Sequence, residues 1–168
     1  MTWEFSEGAV RAVAAYLAAV LPARLDLIDT QYAGDAVPIT LDDFTIEEGE
    51  LVEVQAHKYP LIELTVARTV ANAADGTYLK ATQDVLIRGS ISDAKPVYLR
   101  RRVYRSARAI VECFSQGRAG QHALIGGASW SASYGTPLVD YSEAFRQRGV
   151  PQPIAAFTVR ITMTRTEL

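Results

Sequence analysis

The chain has 168 residues, of which 49% are hydrophobic, 21% charged and 9% aromatic, with a formal charge of −2. That is enough for one domain, residues 1–168, with a core of its own, and it excludes a disordered tail and a coiled coil. Cys113 is the single cysteine, which excludes a disulfide framework and a cysteine-held zinc or iron–sulfur centre.

In chain order, Ser6 is placed to cap a first helix, along which Val10, Val13, Leu17, Val20 and Leu21 lay one apolar stripe. The apolar run is interrupted by Arg11 and is too short to span a bilayer, so a soluble protein of a cytoplasm is expected. Pro22 is expected to end the helix. Residues 25–56 then hold Gly34, Pro38 and Gly49, show no sustained period, and read as an acidic loop or arm with room for one short strand. A loop of this length is usually functional or ordered against a partner.

The stretch YPLIELTVARTV alternates, with Ile62, Leu64, Val66 and Val70 on one face and Glu63, Thr65, Ala67 and Thr69 on the other. An Asp75-Gly76 turn signal follows, and a second strand alternates through Leu79, Ala81, Val85, Ile87 and Ile91, which predicts a long hairpin. Ser92 or Asp93 is placed to cap the next element. Leu99, Val103, Ala107, Ile110 and Phe114 recur at helical spacing, and Arg101, Arg105, Arg108 and Glu112 fall on the other side, where solvent is expected. Arg108 and Glu112 stand four apart and are expected to pair. Gly117 ends this helix. ASWSASY and AAFTVRITMTRT are half-wet strands, and the stretch between them reads as a connection with one helical turn. The fold class is α+β: an antiparallel or mixed four-stranded sheet, an N-terminal helix and a central helix packed on one face, plus the long acidic arm.

No catalytic pattern stands out. His57 and His122 lack the paired spacing of a metal site and read as polar residues near strand ends. Cys113 lies beside the apolar stripe and reads as a small buried thiol. GGASWS is not a nucleophile elbow, and no phosphate-binding glycine loop is present. Asp42-Asp43 and Glu47-Glu48 lack the alternation of a calcium loop. The expectation is a protein that is not an enzyme and has no metal or cofactor.

What stands out is charge placement. Between Asp26 and Glu53 there are nine acids and no Lys or Arg, and between Lys95 and Arg108 six bases and no acid. Three readings of the basic helix follow. Arginines suit phosphate, but a sequence pI near 5.7 and the nearby acids oppose nucleic-acid binding. The face can simply be solvated. Or it can dock on the acidic arm of another copy, since head-to-tail rings join two unlike patches.

An N-terminal amphipathic helix, a variable arm, a Tyr-Pro opening the first long strand (KYPLIELTV), a hairpin, a central helix on the sheet and two closing strands together resemble the tail terminator, or tail completion, proteins of long-tailed bacteriophages. The resemblance implies a homo-oligomeric ring, usually a hexamer, that caps the tail tube, ends its elongation and joins the tail to the head or neck. Its partners would be the tail tube protein and a head completion or neck protein. DNA would pass the pore without specific binding, no membrane would be involved, and the protein would reside in the virion after assembly in the host cytoplasm. The subunit interface is expected to pair Arg101, Arg105 and Arg108 with Asp35, Asp42, Asp43, Glu47 and Glu48 of a neighbouring copy. Another neck or head–tail completion protein is the nearest alternative. A small-ligand-binding α+β domain, with its pocket between sheet and central helix, is the alternative of a different class.

Overall fold

The structure is a computed structural model that describes residues 2–35, 45–48, 59–74, 78–115, 122–125, 130–133, 138–146 and 148–167. In chain order these form α1 (Thr2–Gln31), β1 (Thr45–Glu48), β2 (Leu61–Ala74), β3 (Tyr78–Ser92), α2 (Pro96–Phe114), β4 (His122–Ile125), β5 (Trp130–Ser133), β6 (Val139–Tyr141) and β7 (Ile154–Glu167). The class is α+β, as the patterning predicts. The Asp75-Gly76 turn, Gly117, His57 and most of the 25–56 stretch lie outside the described residues.

α1 runs 30 residues, straight past Pro22, and so takes in Leu25–Gln31, which the sequence assigns to the arm. An interior proline costs a helix about 3 kcal/mol. Beyond it, however, Leu25 and Ile28 continue the stripe of Leu17 and Leu21 and are fully buried. Two such side chains recover roughly 3–6 kcal/mol, which outweighs the proline. The 14-residue β2 gives this burial its extent, because it spans about 46 Å, and a helix stopped at Pro22 would cover only about 30 Å. Ser6 caps nothing, since the helix begins at Thr2; its hydroxyl lies 3.2 Å from Thr69 Oγ1 on β2.

Among the described residues the sheet has seven strands, not four, in the order β1-β2-β3-β7-β5-β4, with β6 also paired to β7. It is mixed: β1 is parallel to β2, with Thr45 N donating to Pro60 O at 3.2 Å, and the other pairs are antiparallel. Of the additional strands, β1 is the short strand for which the acidic stretch has room, and β4 and β6 span four and three residues, too few to leave a readable alternation. Among the described residues no helical turn precedes β7; β6 lies there instead, and Phe145 and Ile154 exchange two backbone hydrogen bonds of 2.8 Å.

The helix-facing rows meet in register, Leu64 with Ile87 and Val159, and Val66 with Val85 and Ile161. Past Val66 the register shifts by one residue, so that Arg68 faces Asp84 and Thr69 faces Gln83. A bulge of this kind exchanges the two faces of a strand. Thr69 therefore joins the helix-facing row, and Val70 leaves the face on which simple alternation puts it.

α2 begins at Pro96, a first-turn position where the missing N–H costs nothing. Neither Ser92 nor Asp93 caps it. Asp93 instead accepts a hydrogen bond from the Lys95 amide (2.9 Å) and pairs with Arg102 (3.3 Å), shaping the turn that leads in. Leu99, Val103, Ala107, Ile110 and Phe114 are all buried, as their spacing requires. Tyr16 donates to the Cys113 carbonyl (2.6 Å) and its ring meets Phe114, while Tyr32 meets Arg105, so α1 and α2 run antiparallel. α1 covers β1, β2 and β3; α2 covers β3 and β7. Phe157 of β7 lies over Gly89 of β3, and a Cβ at residue 89 would overlap its ring.

One core position is at odds with its surroundings. Gln83 is fully buried, and among the described residues neither its Oε1 nor its Nε2 has a hydrogen-bond partner. A buried amide left unpaired costs roughly 1–3 kcal/mol. Gln83→Met keeps the shape and removes the amide, so its urea midpoint is expected to rise with an unchanged slope. A lower midpoint would show that the amide is satisfied in solution.

Candidate interaction surface on the central helix

The basic helix is only partly on the wet side. Arg105 is buried, contrary to its expected place in solvent: α1 delivers Tyr32 and Asp35 onto it. Its guanidinium lies 4.1 Å from the Tyr32 ring centroid and pairs with Asp35. The same carboxylate takes Arg101 at 2.9 Å. Arg108 pairs with Glu112 at 2.6 Å, as the four-residue spacing predicts, and donates to the Tyr32 hydroxyl at 3.5 Å. Arg101, Arg105 and Arg108 thus find partners in their own chain. Of the acids expected opposite them, Asp35 meets two within the same chain, Glu47 and Glu48 lie in β1, and Asp42 and Asp43 lie outside the described residues.

Charge reasoning passed over the neighbouring flank of α2. Val97, Tyr104, Leu138, Tyr141 and Phe145 are large apolar or aromatic side chains left exposed. Tyr104 and Tyr141 pack edge to face, with centroids 5.1 Å apart, which joins α2 to β6. A cleft of about 440 Å³ opens between them, floored by Leu99, Val103 and Ala155 and rimmed by Arg100. A shallower groove, lined by Pro96, Val97, Arg100, Arg101 and Tyr104, extends it along the helix. Arg100 is exposed and makes no ion pair among the described residues. Partial burial, with Tyr104 as a second cause, holds the Tyr141 hydroxyl above its ordinary pKa, so it is a neutral donor here. The available signal was the seven-residue spacing of Val97 and Tyr104 outside the core stripe.

The sheet face turned away from the helices carries a second cleft, of about 680 Å³, lined by Glu63, Thr65, Arg88, Asp140, Ser142 and Thr158. Glu63 is buried, with Arg88 Nε 4.0 Å from its carboxylate. Burial, and secondarily Glu63, raises the Tyr59 pKa. Convergent polar groups therefore lie on this outer face, not between sheet and central helix, where a ligand-binding reading expects them.

His122 opens β4. Among the described residues no group of three or more His, Cys, Asp or Glu could hold a metal ion, and no helix is long and apolar enough to cross a membrane. Cys113 is buried, and desolvation pushes its thiol up to about 12, against a smaller opposing pull from Arg24. The unfolded chain loses this proton at about pH 8.5. Between the two values the folded state holds the extra proton, so stability falls as pH rises, by up to about 1.4 kcal/mol per pH unit. The urea midpoint should drop across this alkaline window and drop less in Cys113→Ala. A disulfide reagent near neutral pH should react with Cys113 only as fast as the protein opens.

No protein-family model matches the chain, and a search of the curated proteins finds no match.

Proposed function

We propose that the protein is a structural subunit that assembles with copies of itself into a ring, a hexamer in its simplest form. The ring caps the tail tube of a long-tailed bacteriophage, ends tube elongation and joins the tail to the head or neck. One observation carries this reading: an exposed basic and aromatic flank on α2, in a chain whose acids cluster between Asp26 and Glu53. Unlike patches of opposite charge on one subunit suit a closed head-to-tail contact. The element order, with KYPLIELTV leading into the long hairpin and a helix laid across it, supports the phage assignment. Capping a tube requires shape and surface and no reacting group. The acids would let DNA pass a pore without being gripped.

Light scattering of the purified protein, alone and added to polymerising tail tubes, tests the reading. The expected result is a closed oligomer, alone or on tube ends, with shorter tubes as more protein is added. A monomer at every concentration that leaves tube length unchanged would overturn it.

The polar cleft around Glu63, Arg88 and Asp140 favours a second reading, a small-ligand-binding domain. In that case a small polar molecule would raise the melting temperature of a monomer, and Glu63→Gln would abolish the rise.

A further inference from the structure

We infer that the flank built by Val97, Arg100, Tyr104, Leu138, Tyr141 and Phe145 is the docking face for a second copy of this chain, which presents its acidic β1 side. The inference rests on the ring reading and specifies which surfaces the ring uses.

Arg101, Arg105 and Arg108 already have partners in their own chain, so a contact through them would first have to break those pairs. Arg100 carries no such cost. It stands at the rim of a groove whose floor is apolar and whose walls are two tyrosines already held edge to face. Tyrosine and arginine around a dry pocket is the composition that dominates protein–protein binding energy, because each brings large contact area with few rotors to freeze.

The occupant follows from charge and placement. Within this sequence the counterpart to an unpaired arginine lies in the acid-rich, base-free stretch ending at Glu53. β1, which carries Glu47 and Glu48, is the terminal strand of the sheet on the α1 side, whereas β6 and α2 lie on the β7 side. β1 and the basic–aromatic flank are therefore at opposite sides of one subunit, whereas Asp35, earlier in the same acidic stretch, meets Arg101 and Arg105 within the chain. β1 and this flank, so placed, meet only between chains, where they generate a repeating head-to-tail contact. On the α1 side, exposed Leu27 beside Asp26 also offers an apolar side chain next to an acid.

The test uses the full chain in two variants at exposed positions, Arg100→Glu and Tyr104→Ala, with Arg160→Glu on the outer sheet face as control. Association is read by light scattering, alone or on tubes, and folding by circular dichroism. Each of the two variants is expected to weaken association by about tenfold or more with an unchanged spectrum, and the control to leave it unchanged. A photo-crosslinking residue at position 97 should capture a neighbour's peptide from residues 26–53. Wild-type association that survives both variants, or crosslinks that fall elsewhere, would overturn this face and leave the ring reading intact. Failure of the wild type to associate under any condition would overturn both.

Discussion

Phe157→Ala is expected to destabilise the protein by roughly 3–5 kcal/mol, the usual cost of emptying a fully buried aromatic site. The ring is 1% exposed and lies over Gly89, its cross-strand partner. Gly89→Ala alone is also expected to be destabilising, by about 1–3 kcal/mol, because the new methyl overlaps the ring and a packed strand pair has little room to yield. The two losses should not add. Once the ring is gone the methyl enters the vacated space, so the double variant should be more stable than the sum of the singles, by about 1 kcal/mol or more. Urea unfolding of the four proteins gives the coupling. Simple additivity would mean that ring and glycine are not in contact in solution.

Asp35→Ala has the second largest expected effect, about 2–3 kcal/mol, because it removes the carboxylate that pairs with the buried Arg105 guanidinium. Losing one partner of a fully buried ion pair costs about 3–5 kcal/mol; Asp35 is a third exposed, so water offsets part of the loss. The Tyr32 ring keeps its hold on the cation and supplies about a further kilocalorie. Arg105→Met removes the charge and keeps the stem, so in the Asp35→Ala background it should restore most of the loss. Hydrogen exchange at the amides of residues 28–35 should quicken in Asp35→Ala and return toward wild type in the double variant. An unchanged exchange rate there would show that Arg105 does not hold the end of α1.

α2 could be read from the sequence because five of its buried residues, Leu99, Val103, Ala107, Ile110 and Phe114, obey one period and its caps do not matter to that pattern. The long strands β2, β3 and β7 were legible for the same reason. What escaped was set by residues distant in sequence. The end of α1 depends on a strand length that only the folded hairpin reveals, and local rules put a stop at Pro22. Arg105 sits on the polar side of its helix, but Tyr32 and Asp35, about seventy positions away, cover it. β6 is three residues long, and its worth as a surface comes from Tyr104 reaching Tyr141 across a gap of 37 positions. Periodicity sees the core-facing half of an element; it does not see which outward residues a neighbour will cover and which it will leave bare.

The irregularity between Val66 and Arg68 bears on how sequences with this fold should be aligned. It divides the first hairpin strand into two reading frames: Ile62, Leu64 and Val66 point at the helices before it, and Thr69 after it. A relative without the extra residue would keep both halves of its hydrophobic pattern, displaced by one. A gap at Ala67 is therefore the natural place for length variation, and a comparison that forbids it scores half the strand inside out. The same residue governs protein engineering: deleting it should leave Thr69 opposite Gln83 and beside Ser6, whereas deleting a residue elsewhere in the strand would turn one half of it inside out.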